Sequence, residues 1–179
     1  MLTLNSINHN MEFTWHYDSP LGGITLGSDG EVLTGLWFDG QKFFAEGLDD
    51  ESQEKDLPVF ELTRRWLDIY FSGQQPDFTP PLKLKTTPFR KDVCEIMRTI
   101  PFGETMTYGE IAFRIAGKKG IRQMSAQAVG GAVAHNPISL IIPCHRVIGA
   151  NGSLTGYAGG LDRKAWLLQL EHSRPEEIL

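Results

Sequence analysis

The sequence of 179 residues predicts an α/β protein of the α+β kind. An antiparallel β-sheet with one helix is followed by a mainly helical part that contains a helix-turn-helix. Two observations lead to this fold class. Apolar and polar residues alternate over 12–17, and turn residues at 19–23 and 29–30 separate two further short strand-like segments. From residue 59 onwards the apolar spacing becomes helical. The two parts are assigned to residues 1–82 and 83–179, with Gly and Pro residues over 72–86 as the linker.

The β-rich part begins with a strand that has one apolar face. On this face aromatic residues alternate with polar ones: Phe13, Trp15 and Tyr17. Turn residues at 19–23 lead into a second strand, and Asp29-Gly30 predicts a hairpin turn into a third strand over 32–38. The acidic residues 45–57 predict a loop, and a helix is predicted from Val59.

Capping residues mark the helices of the second part. The predicted caps are Thr87 followed by Pro88, Thr107 with Glu110 in a capping box, and Ser125. The helix that starts at Ser125 is predicted to reach about His135, and an apolar run over 138–142 predicts a short buried strand or extended segment. The last two of the three capped helices, joined by a basic loop over 117–123, form a helix-turn-helix candidate. Alone this signal is weak, since most small helical domains contain such a pair.

The second helix of this pair is built from small residues, namely Ala126, Ala128, Gly130, Gly131, Ala132 and Ala134. Two adjacent glycines inside a helix cost about 1 kcal/mol each relative to alanine. Two explanations fit this composition. The helix packs closely against another helix, or its backbone approaches a groove wall or a ligand.

Charge is divided unevenly along the chain. Residues 1–82 hold 4 Lys or Arg against 14 Asp or Glu, a balance of −10, whereas residues 83–174 hold 13 against 6, a balance of +7. A basic half suits a polyanionic partner such as nucleic acid. Basic side chains that merely solvate a helical surface explain the same numbers equally well.

Composition excludes several classes of protein. The longest wholly apolar run is far too short to cross a bilayer, and the N-terminus lacks the basic start and apolar stretch of a signal peptide. Two cysteines argue against a disulfide scaffold and favour a reducing cytoplasm. Neither Cys-x-x-Cys nor His-x-x-x-His occurs, so no metal site is predicted. No cofactor is predicted either.

Cys144 is the candidate nucleophile. His145 and Arg146 supply the base and the positive charge that stabilise a thiolate. Because neighbouring residues on an extended chain point to opposite sides, a relay between Cys144 and His145 is favoured over direct contact. A buried structural thiol is the competing interpretation, and it is the one given to Cys94, which lies within a helix.

Residues 101–171 resemble the C-terminal domain of the O6-alkylguanine-DNA alkyltransferases. The resemblance is carried by the segments Pro-Phe-Gly-Glu-Thr (101–105), Thr-Tyr-Gly-Glu-Ile-Ala (107–112), Ala-Val-Gly-Gly-Ala (128–132), Asn-Pro (136–137), Ile-Pro-Cys-His-Arg-Val-Ile-Gly (142–149), Gly-Tyr-Ala-Gly-Gly-Leu (156–161) and Trp-Leu-Leu-Gln-Leu-Glu (166–171). Pro-Cys-His-Arg-Val is the most specific of them. The segment 17–23 is similar, less specifically, to the family's ribonuclease-H-like N-terminal domain.

The resemblance implies a DNA repair protein that moves the alkyl group of O6-alkylguanine, and of O4-alkylthymine, irreversibly onto Cys144. His145 takes the thiol proton through a water, Glu171 orients His145, Asn136 positions the preceding turn, and Tyr108 donates to the guanine. The implied substrate-binding residues are Tyr157, Ala158, Val147, Gly156 and Arg146. Taken one at a time, Tyr108 also fits a helix core, Asn136 a helix stop and Glu171 a solvated charge.

The family binds double-stranded DNA as a monomer through the minor groove and flips the damaged base out. The residues implied in DNA binding are Gln127, Ser125, Ala126, Ala128, Gly130, Gly131, Arg122, Lys118 and Lys119. Many members carry an arginine at position 127 that fills the gap left by the base, so here we expect weaker binding or help from the basic loop. Ala158 replaces a serine of some members, which removes one possible hydrogen bond to the substrate.

Two other functions compete with this one. The first is a non-catalytic sensor of alkylated DNA, but relatives of that kind lack the reactive cysteine. The second is a Cys-His-Glu hydrolase, which explains neither the helix-turn-helix nor the basic half of the chain.

Overall fold

The computed structural model describes residues 11–172. Residues 1–10, for which the sequence predicts no element, and residues 173–179 lie outside them. The strands are β1 (Phe13–Ser19), β2 (Gly22–Ser28), β3 (Leu33–Phe38), β4 (Gln53–Glu54), β5 (Met106–Thr107) and β6 (Val147–Ile148). The helices are α1 (Pro58–Phe71), α2 (Pro88–Met97), α3 (Tyr108–Lys119), α4 (Ala126–Ala134) and α5 (Leu161–His172), with 3-10 turns at Cys144–Arg146 and Ala150–Gly152.

The predicted α+β class is confirmed by a four-stranded sheet in the order β3-β2-β1-β4. Strands β1, β2 and β3 are antiparallel neighbours, as the hairpin signals predict. Gly30 takes the positive φ of 111° that the turn before β3 requires. The prediction of a loop over 45–57 is wrong for residues 53–54, because β4 adds a short parallel pairing to the start of β1.

The free edge of β3 holds the second part of the chain in place. Pro81 accepts a backbone hydrogen bond from Leu33 at 2.8 Å, and Lys83 donates one back to Leu33 at 2.9 Å. Further along the strand, Leu36 donates to the Pro137 carbonyl at 2.9 Å and accepts from Ser139 at 3.0 Å. Buried apolar residues of both parts form one core. The segment before Cys144 is therefore fixed to the edge of the sheet.

The predicted helix starts are confirmed. Thr87 accepts from the backbone N–H of Arg90, Ser125 caps α4 by accepting from Ala128, and Thr107 with Glu110 forms both hydrogen bonds of a capping box. These caps satisfy backbone donors that a helix leaves unpaired in its first turn. The pair α3 and α4 pack against each other and give the helix-turn-helix.

The prediction of a short buried strand or extended segment over 138–142 is wrong. Only Ile138 makes a sheet bridge, to Leu36, and the chain then turns through Leu140 at a φ of 69°. The cause is Asn136, whose side chain accepts from the Ile138 N–H at 3.1 Å and donates to the Ile142 carbonyl at 2.8 Å. These hydrogen bonds close a buried turn that sequence periodicity cannot distinguish from a short strand.

Within residues 11–172 no helix combines the length and the apolarity needed to cross a membrane.

Candidate active site

Cys144 begins the 3-10 turn that follows the turn organised by Asn136, and it is 4% exposed. Burial raises the pKa of its thiol, because a thiolate loses hydration there. Hydrogen bonding by Asn136 and Ser139 and the positive charge of Lys164 oppose that rise. Asn136 is therefore more than a helix stop, since its side chain shapes the turn and favours the thiolate.

The environment of Cys94 favours an inert thiol, with only the charge of Arg98 acting in the opposite direction. It is fully buried in α2, and burial raises its pKa to about 12 with no hydrogen bond to offset the rise. This environment agrees with the structural thiol predicted for it.

Glu171 lies at the centre of a buried charge network. Its Oε1 is 2.6 Å from His145 Nε2, and Arg146 binds both carboxylate oxygens at 2.9 Å through Nε and Nη2. The hydroxyl of Tyr70, from α1, donates to Oε1 at 2.8 Å. Hydrogen bonds and charge from His145 and Arg146 outweigh burial and lower the pKa of Glu171 to about 2. With 8% exposure, Glu171 is not a solvated C-terminal charge.

His145 is held neutral in this network. It is completely buried, and burial lowers its pKa despite the neighbouring carboxylate. A neutral ring that contacts a carboxylate through Nε2 carries its proton there, which leaves Nδ1 as the basic nitrogen. In the part of the chain that the structure describes, Nδ1 is buried without a hydrogen-bond partner.

Arg146, which the resemblance implies in substrate binding, is bonded within the protein. Besides its hydrogen bonds to Glu171, it donates through Nη1 to the Ile100 carbonyl at 2.7 Å. A guanidinium bound in this way orients the glutamate. Sequence reasoning also missed Tyr70, which reaches Glu171 across a separation of 101 residues.

Lys164 is a second residue that sequence reasoning missed. It is fully buried on α5, and its ammonium group donates to the carbonyls of Val147, Thr155 and Gly156. Burial lowers its pKa to about 8. The sequence contains a signal that could have identified this lysine. Residues 164, 167 and 171 are spaced so that they share one face of a helix, and a lysine on that face points inward with Glu171.

Tyr108 stands at the start of α3, half-buried against the loop after β6. Its hydroxyl donates to the Thr155 carbonyl at 2.9 Å, and burial raises its pKa, so it stays a proton donor at neutral pH. A cleft of about 700 Å³ adjoins it. The cleft is lined by Lys42, Phe43, Tyr108, Gly109, Ala126, Gln127, Gly130, Val133, Ala134, Ala150, Thr155, Gly156, Tyr157 and Ala158. Three of the substrate-binding residues implied by the resemblance, Gly156, Tyr157 and Ala158, therefore share one cavity with three of the implied DNA-binding residues, Ala126, Gln127 and Gly130.

Val147, also implied in substrate binding, is fully buried. It follows the 3-10 turn of Cys144, and its carbonyl accepts from Lys164. The backbone at Val147 is thus tied to the same lysine as the loop over 155–156.

The two glycines of α4, Gly130 and Gly131, which are implied in DNA binding, have space around them. Gln127, Ala128 and Gly131 are exposed, and a Cβ added at Gly131 would meet no atom within 4 Å. At Gly130 it would meet only the ring of Tyr108, at an ordinary 3.9 Å. Packing within the protein therefore does not require the two glycines.

The basic segment predicted as a loop over 117–123 is helical up to Lys119, where α3 ends, and it offers fewer unpaired charges than its sequence indicates. Lys118 and Lys119 both lie near Asp92 of α2, at 2.8 and 3.9 Å. Arg122 is exposed and has no ion pair among the described residues.

No group of three or more His, Cys, Asp or Glu side chains within residues 11–172 could hold a metal ion.

A buried cysteine beside a histidine and a glutamate, next to a helix-turn-helix, is the arrangement expected of a protein that uses cysteine chemistry on DNA. Residues 88–173 match the model of the 6-O-methylguanine DNA methyltransferase DNA-binding domain, and residues 15–84 match that of its ribonuclease-like domain. The chain belongs to the 6-O-methylguanine DNA methyltransferase family.

Individual relatives agree. Methylated-DNA–protein-cysteine methyltransferases of Haemophilus influenzae and Methanosarcina acetivorans are 43% and 45% identical, over 87% and 88% of this chain and 84% and 96% of their own. A crystal structure of Mycobacterium tuberculosis OGT in complex with DNA is similar with a TM-score of 0.76 and 42% identity, over 90% of this chain and 92% of that one.

Proposed function

We propose that this protein repairs DNA by transferring the alkyl group of O6-alkylguanine, and of O4-alkylthymine, to Cys144. The observation that carries the proposal is the buried cysteine next to a neutral histidine held by Glu171. The names of the relatives, methylated-DNA–protein-cysteine methyltransferase, support the same activity. The product is a thioether without a leaving group, so each molecule acts once.

In the transfer, the Cys144 thiol gives its proton through a water to His145 Nδ1. The sulfur attacks the alkyl carbon, a C–S bond forms, and the C–O bond breaks with its electron pair on the guanine oxygen. Tyr108 stabilises the departing guanine by donating a hydrogen bond from its hydroxyl to the ring. In the structure, the Thr155 carbonyl accepts this hydrogen bond, so the hydroxyl changes its acceptor when the guanine is bound. Glu171 compensates the positive charge that develops on His145.

DNA delivers the substrate as a flipped nucleotide. We infer that α4 enters the minor groove, because its exposed face bears glycine and alanine and lets the backbone come close. Gln127, on the same face, fills the space left by the base. The protein acts as a monomer, and its two free cysteines favour the reducing cytoplasm.

The test is an intact mass after incubation with a duplex that contains O6-methylguanine. We expect a gain of about 14 Da, one methyl for one hydrogen, located on the Cys144 peptide. Cys94→Ala keeps the gain and Cys144→Ala loses it. Binding without any gain favours a sensor of alkylated DNA, and absence of both binding and gain favours a hydrolase.

A further inference from the structure

The segment of residues 42–46, here called the bridging segment, belongs to the N-terminal part but reaches the cleft of the C-terminal part. At one end the backbone N–H of Lys42 donates to the Ala158 carbonyl at 3.0 Å. At the other end Glu46 Oε2 lies 2.6 Å from Nδ1 of His135, the residue that ends α4. The bridging segment is therefore attached to both walls of the cleft. One wall is the loop that contains Ala158, and the other is α4, the helix implied in DNA binding.

Phe43 is held in the cleft wall by these attachments. Its ring stacks on His135 with centroids 3.7 Å apart, yet the residue remains 44% exposed. Its φ of 56° lies in the left-handed region, which side chains other than glycine rarely adopt. The hydrogen bonds on either side fix this unfavourable conformation, and with it the position of an exposed aromatic ring in the lining of the cleft.

Lys42 supplies the charge of the cleft. Among the described residues that line the cleft, it alone is charged. The other three basic residues of the acidic first part are engaged elsewhere: Arg64 pairs with Asp56, Lys55 lies over the Phe13 ring and Arg65 lies over the Phe78 ring. The first part of the chain is acidic, yet it places the exposed Lys42 at the cleft, where a polyanion would enter.

We propose that the bridging segment is part of the DNA interface, an inference that rests on the proposed function. Lys42 pairs with a phosphate of the damaged strand, and the Phe43 ring packs against the nucleotide held in the cleft. The N-terminal part thereby positions the substrate in addition to supporting the fold.

The experiment measures equilibrium binding to a duplex containing O6-methylguanine at several salt concentrations, with all variants made in the Cys144→Ala protein. Lys42→Gln is compared with Lys55→Gln, an exposed lysine of the same part. Phe43→Ala is compared with Phe44→Ala, whose side chain is 42% exposed and lies outside the cleft lining. Phe43→Tyr preserves the ring. Methylation rates are measured in parallel with Cys144 restored.

We expect Lys42→Gln to reduce the slope of log K against log salt by about 0.9, the value of one phosphate contact, and Lys55→Gln to leave it unchanged. Phe43→Ala weakens binding about tenfold, as loss of one base–aromatic contact does, while Phe43→Tyr and Phe44→Ala stay near the parent protein. Variants at 42 and 43 that match their controls, in a protein that is still methylated, overturn this inference alone. Failure of the parent to gain a methyl group contradicts the proposed function instead.

Discussion

The network around Glu171 and the exposed face of α4 are built in opposite ways. Both carboxylate oxygens of Glu171 are hydrogen-bonded, and the whole network is shielded from water. The partners are His145, Arg146, Tyr70 and the Gly103 N–H. The face of α4 presents glycine, alanine and one glutamine to solvent. A proton relay requires fixed partners in a low dielectric, whereas a surface that enters a narrow groove requires side chains to be absent.

Breaking the network should give the largest effect. In Glu171→Gln, Arg146 loses its counter-charge while both remain buried, which costs about 3 kcal/mol of unfolding free energy. His145 also loses the charge that stabilises its protonated form, so methylation of Cys144 should slow by about 100-fold. Denaturant unfolding and single-turnover mass spectrometry measure the two effects.

Glu95→Gln is the matched control, because Glu95 makes an exposed ion pair with Arg98 and we expect it to change neither quantity measurably. If Glu171→Gln is methylated at the parental rate, the glutamate has no part in the relay.

The same network predicts how stability depends on pH. Glu171 has a folded pKa of about 2, below its ordinary value, so its contribution is complete above about pH 4.5 and is lost as the pH falls towards 2. The pKa of His145 is also lowered, so protonation of the unfolded chain begins to reduce stability below about pH 6.5. Both effects destabilise the protein in acid, by about 3 kcal/mol for Glu171 alone.

Denaturant midpoints between pH 8 and 3 test this dependence. Glu171→Gln should flatten the curve below pH 4.5 and retain the fall that begins near 6.5. A parental midpoint that is constant from pH 8 to 4 contradicts the neutral, buried state of His145.

The two regions also differ in what their sequence reveals. Caps, hairpin turns and the positions of Cys144 and His145 follow from local patterns, since each rests on residues a few places apart. The roles of Tyr70 and Arg146 do not, because they depend on packing between α1, α5 and the 3-10 turn. The buried turn at 138–142 cannot be distinguished by its sequence from a short strand or extended segment, because each contains a run of apolar residues.

Gly131 gives a smaller effect that separates DNA binding from stability. A Cβ at this position meets open space, so Gly131→Ala should stabilise α4 by up to about 1 kcal/mol. The same methyl group increases the distance between the helix backbone and a groove wall, and we expect about tenfold weaker binding to duplex DNA. Thermal unfolding and a binding titration measure these opposite changes.

Gly117→Ala in α3 is the matched control, since a Cβ there also meets no atom within 4 Å. It should raise stability by a similar amount and leave DNA binding unchanged. Equal binding by the two alanine variants excludes close approach of α4 as the reason for its glycine.

The smallest effect concerns the basic residues at the end of α3 and in the loop before α4. These residues differ in how far their charge is already neutralised. Arg122 is exposed and makes no ion pair among the described residues, whereas Lys118 lies 2.8 Å from Asp92. A lysine that is already paired with a carboxylate neutralises less of the charge of a phosphate. Fewer of the cations condensed on the DNA are then released. We therefore expect Arg122→Gln to lower the salt slope of DNA binding by about 0.9 and Lys118→Gln to lower it less. If neutralising Arg122, Lys118 and Lys119 together leaves the salt slope unchanged, these three residues do not compensate for Gln127. The charges that bind the DNA phosphates then lie elsewhere on the protein.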